Sequence, residues 1–237
     1  MNKIAIILAG GSGTRAGGDM PKQLQKLEER PIFMYSVDAF AAAGVTRIVL
    51  VINRQWAEEF HEALNNASID QSELDIRFCP GGASRPESVM NALGDIRLSG
   101  WVSEDATAMV AIHDAARPLI TSDVISEGYR TASEHLTAVP VVPVTDTLRH
   151  LESNGTSVTV PRSEYRAVQT PQIFDWHLLT TAYNQLSTHP ELISQVTDDA
   201  SVIELLDDQS ITLYPGSPSN LKITTPIDFA IAAALLK

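Results

Sequence analysis

A single cysteine, Cys79, among 237 residues excludes an internal disulfide and any spaced set of Cys and His zinc ligands, as a reducing compartment would allow. No apolar run reaches membrane-spanning length, and the opening MNKIAIILAGG lacks the layout of a signal peptide, so the reading is of a soluble, cytoplasmic protein. The Asn-x-Ser/Thr matches at Asn66 and Asn154 then carry no glycosylation meaning. Positive charge is also scarce. Lys and Arg number 17 against 29 Asp and Glu, a net charge of -12, which excludes the basic face that nucleic-acid binding needs. Small molecules and other protein subunits are the expected partners. Repeats, low-complexity tracts and linkers are absent too, and a hydrophobic content of 44% suits one domain with a sizeable core.

What is present alternates. Apolar, β-branched runs at 3–9 (KIAIILA), 47–53 (RIVLVIN), 74–79 (LDIRFC) and 109–114 (MVAIHD) are separated by amphipathic stretches. That order predicts βαβ units and a mostly parallel sheet flanked by helices, an α/β fold. Pro31 opens a helix that ends at Gly44, and Thr225-Pro226-Ile227-Asp228 supplies a cap, a first-turn proline and a first-turn acid for a C-terminal helix. Residues 145–174 break the alternation. There TLRHLE and TSVTVP flank Ser153-Asn154-Gly155, a hairpin signal. So polar a hairpin must lean on something, either a second subunit or its own domain, and we expect a projecting arm over 144–168 that packs on a second subunit.

The stretch LAGGSGTRAGGDMPKQ (8–23) is built for an anion. A Walker-type loop is excluded, because Lys22 lies between Pro21 and Gln23. A serine nucleophile elbow fails at Thr14. Gly11-x-Gly13-x-x-Ala16 meets the loose dinucleotide pattern, yet Gly17-Gly18 and Pro21 forbid an early helix and the second strand ends in Asn53-Arg54, without an acid for ribose. What remains is an extended loop of open backbone N–H groups with two cations, Arg15 and Lys22, suited to a polyphosphate.

The same loop resembles the signature of sugar-nucleotide-forming nucleotidyltransferases. Further words narrow the resemblance: SRPESVMNAL (84–93), HDAARP (113–118), DT (146–147), RAVQTPQIF (166–174), TDDAS (197–201) and NLKITTP (220–226). In this order they are similar to the 2-C-methyl-D-erythritol 4-phosphate cytidylyltransferase family, CTP-dependent enzymes of the non-mevalonate isoprenoid route. Glu87 stands where that family has aspartate, and Ala16 where a larger apolar residue is usual.

The resemblance implies a Rossmann-like sheet and a homodimer joined by the arm. It also implies a reaction in which a phosphate monoester attacks the α-phosphate of CTP and pyrophosphate leaves. Such a nucleophile has a second pKa of about 6 and is already ionised, so no general base is needed. Correspondingly, no Ser-His-Asp order, Cys/His pair or carboxylate dyad stands out. Charge stabilisation falls to Arg15 and Lys22, with Asp114 and Lys222 completing the catalytic set. The nucleotide is expected at Leu8, Ala9, Gly10, Gly11, Ser12, Gly13, Thr14, Gly82, Arg85, Ser88 and Ala115. The acceptor is expected at Asp114, Arg117, Thr170, Thr197 and Lys222, with Thr147 and Arg162 contributed by the arm of the partner; Arg166 is a weaker candidate. Mg²⁺, or another divalent cation, is expected to be held mainly by the CTP phosphates; its protein ligands are left open, with Asp114 a candidate either directly or through water.

Local readings stand beside these. Ser84-x-x-Glu87 reads as a capping box for residues 85–98, Asp114 and Arg117 as a loop brace, His113 as a neutral structural imidazole, and Thr197-Asp198-Asp199 as a helix cap. Three other functions remain open: a ribitol 5-phosphate cytidylyltransferase, which differs only in its acceptor; a nicotinamide-dependent dehydrogenase, resting on the dinucleotide pattern; and a nucleotide sensor without chemistry. The sensor is disfavoured by the presence of Arg15, Lys22, Asp114, Arg162 and Lys222 together.

Overall fold

The four apolar runs are strands and lie side by side. The structure, a computed structural model, describes residues 1–11, 20–67, 73–103, 107–206 and 209–236. In chain order the elements are β1 (Asn2–Leu8), β2 (Lys26–Leu27), β3 (Arg30–Pro31), α1 (Ile32–Ala42), β4 (Arg47–Ile52), α2 (Ala57–Asn65), β5 (Asp75–Pro80), α3 (Arg85–Ser99), β6 (Ala108–Asp114), α4 (Ser122–His135), β7 (Thr137–Pro143), β8 (Arg149–Leu151), β9 (Ser157–Thr159), β10 (Arg166–Val168), β11 (Gln172–Asp175), α5 (Trp176–Thr188), α6 (Asp199–Ile203), β12 (Leu213–Pro215) and α7 (Pro226–Leu235).

The main sheet runs β10-β7-β11-β6-β1-β4-β5, with β12 added on β7. Strands β5, β4, β1 and β6 are parallel, as the alternation predicts. Beyond β6 the sheet is mixed: β11 lies antiparallel between β6 and β7, and β10 is antiparallel to β7. The middles of the central strands, Ile4–Ile7, Ile48–Ile52 and Ala108–Ile112, are unbroken apolar runs because both faces are covered. Ala5, Ile7, Ile48 and Leu50 pack with α1, α2 and α4, whereas Ile4, Ile6, Val49 and Val51 pack with α3, α5 and α6. A smaller apolar cluster of Leu27, Ile32, Leu119, Ile223 and Ala232 seats α7.

Glycine's freedom is used where chain direction reverses sharply. Gly44 closes α1 at φ +74, and Gly155 closes the β8–β9 hairpin at φ +84. That hairpin is a two-stranded sheet of its own. Pairing of Arg166 with Pro143 and Val168 with Val141 clamps its base, so Arg166–Val168 belong to the main sheet and the excursion ends before them. The C-terminal helix starts as expected: Thr225 is its cap, and the Asp228 carboxylate accepts from Thr224 N and Thr225 N, both at 2.7 Å.

Candidate active site

In an open α/β sheet, ligands bind at the carboxyl ends of strands where the strand order reverses. Here that point lies between β1 and β6, whose last residues, Leu8 and Asp114, are paired in register. The backbone beyond both strands is tied down: Ala9 N donates to Val51 O at 2.7 Å, and Ala115 N to Leu8 O at 3.1 Å. A Cβ on Gly10 would lie 3.4 Å from the Ile52 carbonyl carbon and 3.7 Å from Gly81 Cα, so the loops after β1 and β5 meet backbone to backbone. Gly11 is the last described residue of this loop; Ser12, Gly13, Thr14 and Arg15 lie outside the described residues. Lys22 follows in a half-buried turn, and its Nζ donates to Ile223 O at 2.7 Å. The loop's second cation is thereby fastened to the segment that carries Lys222.

The Gly81–Ser88 turn is held by its own hydroxyls. Gly82 N donates to Ser88 Oγ at 3.0 Å, and that hydroxyl donates to Ser84 O at 2.9 Å. Ser84 caps α3 through Glu87 N at 3.3 Å, but Glu87 Oε2 accepts from Ala83 N at 2.7 Å rather than from Ser84 N. Only half of the expected capping box forms, because the Glu87 carboxylate reaches one residue further back. A Cβ on Gly82 would fall 2.4 Å from Glu87 Cβ, so only glycine fits there.

Asp114, at the end of β6, is the centre of charge. Its Oδ2 meets Lys222 Nζ at 2.7 Å and its Oδ1 meets Arg85 Nε at 3.6 Å. Burial alone would raise the Asp114 pKa; Arg85 and Lys222 reverse this and hold it well below the usual carboxylate range. Arg85 Nη1 and Nη2 grip the fully buried Asp199 at 2.9 and 2.6 Å. Burial would lower the Arg85 pKa, but Asp199, with support from Asp114, raises it instead.

The expected brace between Asp114 and Arg117 does not form. Arg117 Nη1 donates to Asn220 O at 2.8 Å, and Lys222 and Arg85 occupy Asp114 instead. Thr170 is buried, and its Oγ1 accepts from Asp114 N at 3.1 Å while lying 3.1 Å from His113 Nδ1. Its hydroxyl thus steadies the Asp114 backbone. His113 is fully buried, with Nε2 3.3 Å from Arg117 O, which agrees with a neutral structural ring.

Burial pushes the His113 pKa from 6.5 down to about 4, with the Arg117 charge assisting and Asp114 opposing. The unfolded chain therefore takes up this proton first as pH falls. Stability that is complete above pH 6.5 should be lost between pH 6.5 and 4, by up to about 3 kcal/mol. Asp114 adds nothing in that window, because its lowered pKa places its own loss below the unfolded carboxylate value. Denaturant midpoints at pH 7, 5.5 and 4.5 should fall more steeply for the wild type than for His113→Gln; parallel lines would contradict this.

Thr147 and Arg162 lie on the excursion, exposed, and Arg162 Nη1 donates to Thr145 O. Thr197 is exposed just before α6, whose cap is Asp198. Among the described residues no hydrogen bond or ion pair joins these three to the Asp114 cluster. The residues that the sequence reading missed are buried partners: Asp199, Tyr183, whose hydroxyl donates to Asp199 at 2.6 Å, and Asn220. The signal was available in TDDAS, where two adjacent acids stand at the start of a helix that needs only one cap.

Among the described residues no three His, Cys, Asp or Glu side chains gather to hold a metal. A divalent cation here would meet one carboxylate, Asp114, and would have to draw its other ligands from a bound polyphosphate, a donor set that suits Mg²⁺. Nor does β4 offer an acid for a dinucleotide ribose: Asn53 follows it and accepts from Gln55 N at 3.0 Å.

The switch point of this doubly covered α/β sheet gathers Asp114, Lys222, Arg85 and Lys22 beside the end of β1, charged surroundings that suit the polyphosphate of a nucleotidyltransferase. Residues 3–237 match the family model of 2-C-methyl-D-erythritol 4-phosphate cytidylyltransferase, and the chain belongs to that family. Curated relatives bearing that name are 38% identical in Bacteroides thetaiotaomicron and 37% in Phocaeicola vulgatus, each over the full length of both chains. The fold is that of the solved 4-diphosphocytidyl-2C-methyl-D-erythritol synthase of Anaerococcus prevotii, with a TM-score of 0.82 at 22% identity, covering 99% of this chain and 96% of that one. The dehydrogenase reading falls with this membership.

Proposed function

We propose that the protein transfers the cytidylyl group of CTP to 2-C-methyl-D-erythritol 4-phosphate, forming the CDP-linked product and pyrophosphate for isoprenoid precursor synthesis. The observation that carries the reading is a family match over residues 3–237. A dianionic phosphate oxygen of the acceptor attacks the α-phosphorus of CTP, and the bond to the leaving pyrophosphate oxygen breaks. No proton has to be removed from the nucleophile.

The chain's work is to neutralise and align. Arg15 and Lys22 are assigned to neutralise the triphosphate, Leu8–Thr14 and Ala115 to bind the nucleotide, and Gly82 and Ser88 shape the turn that receives the cytidine. Asp114, Arg117, Thr197 and Lys222 hold the acceptor, while Thr170 supports Asp114 from beneath. Mg²⁺, bound by the triphosphate and Asp114, would supply further neutralisation of negative charge. No helix among the described residues is long and apolar enough to cross a membrane, and we place the enzyme in the cytoplasm.

We also propose a homodimer in which Thr147 and Arg162 of the partner subunit complete the acceptor site. The excursion carries Leu151, Val158 and Tyr165 at 76%, 47% and 45% exposure, apolar surface that a second copy would cover. Mixing Arg162→Ala chains with Lys22→Ala chains should restore about a quarter of wild-type activity, since half of randomly formed dimers then hold one intact site of two. Mixtures no better than either parent would contradict the arrangement. The reaction itself is tested by pyrophosphate release with CTP and Mg²⁺ against methylerythritol phosphate, ribitol 5-phosphate and hexose 1-phosphates. Turnover with the first is expected; turnover only with one of the others would overturn the assignment.

A further inference from the structure

Asp199 is fully buried in the first turn of α6, yet it does not cap that helix; Asp198 does, accepting from Ser201 N at 2.9 Å. A carboxylate shut away from water must have strong partners. Its oxygens take Arg85 Nη1 at 2.9 Å, Arg85 Nη2 at 2.6 Å and the Tyr183 hydroxyl at 2.6 Å. The turn itself is pinned to β11 by Gln172, which has no exposed surface: its Nε2 donates to Asp198 Oδ2 at 2.8 Å and its Oε1 accepts from Ala200 N at 2.9 Å.

The consequence is felt at Asp114. A guanidinium prefers a carboxylate two-pronged, and an unrestrained Arg85 beside Asp114 would take both of its oxygens. Asp199 occupies both Nη groups, so Arg85 offers Asp114 only Nε, at 3.6 Å from Oδ1, and Oδ2 is left to Lys222 at 2.7 Å. We infer that Asp199 and Tyr183 are positioning residues that act through Arg85 to keep Asp114 paired with Lys222 on the acceptor side of the site. Arg85 then serves Asp114 rather than the cytidine. This inference rests on the function proposed above.

A double-mutant cycle tests it. Asp199→Asn should lower kcat/KM for the acceptor about 10²-fold, the scale of a misplaced reacting group, and Tyr183→Phe about tenfold. KM for CTP should stay within about twofold in both. In an Asp114→Asn background each additional loss should shrink below about threefold, because the group being positioned is gone. Equal fold-losses in both backgrounds, or a raised KM for CTP with kcat unchanged, would overturn the inference. If Asp199→Asn does not give a folded chain by thermal melting, Tyr183→Phe, which deletes one oxygen atom, decides the cycle alone. A wild-type enzyme without pyrophosphate release would instead sink the functional reading and this inference with it, whereas an active wild type with an additive cycle sinks only the inference.

Discussion

Lys222→Met should lower kcat by about 10²–10³-fold while KM for CTP changes little. Lys222 lies on the segment before α7, and its ammonium is 2.7 Å from a carboxylate whose side chain is only 14% exposed. Methionine keeps the length and removes the charge. Asp114 then retains Arg85 at 3.6 Å as its one cationic contact among the described residues, and its pKa rises toward the normal range. On the proposed function, the acceptor's phosphate also loses a cation at the moment two anions are brought together. Lys222→Arg should recover part of the rate, since charge is kept and reach is altered. Wild-type turnover in Lys222→Met would show that this ion pair is scaffolding.

Lys22→Ala should fall by a similar factor, but with a different signature. Its Nζ donates to Ile223 O, 2.7 Å away, which fastens the lysine to the segment that carries Lys222. On the proposed function the charge it stabilises grows on the departing pyrophosphate, so the loss should appear mainly in kcat, with a smaller rise in KM for CTP from weaker ground-state binding. Raising Mg²⁺ should leave most of the loss in place, because a metal carried by the triphosphate does not replace a fixed cation at this position. Steady-state pyrophosphate release at saturating CTP separates the two constants. A change confined to KM would assign Lys22 to binding alone.

The sequence was most legible where the physics is local. β1, β4, β5 and β6 followed from runs of apolar residues, α7 from Thr225-Pro226 with Asp228, and the β8–β9 hairpin from Asn154-Gly155. The partners of charges were not legible. Arg85 and Asp199 are 114 residues apart in sequence and Asp114 and Lys222 are 108 apart, so no spacing rule joins them; the nearby Arg117 was the natural guess and proved to have a different partner. The resemblance places Thr170 at the acceptor, and its hydroxyl also steadies the Asp114 backbone. Its burial beneath Asp114 emerges only once β11 is inserted antiparallel between β6 and β7, a placement that local periodicity does not encode. The family words carried the identity of the site further than residue chemistry alone, since Asp114, Lys222 and Arg85 each have an ordinary structural reading in isolation.

On the proposed function, this chain supplies charge and alignment and withdraws no proton, because the nucleophile arrives ionised. The most direct measurement is the pH dependence of kcat/KM for the acceptor at saturating CTP. It should rise through a single apparent pKa of about 6, that of the free acceptor phosphate, and then stay level through about pH 8.5. A second ionisation in the acid limb that shifts when Asp114 or another side chain is replaced would reveal an enzyme base and contradict the claim.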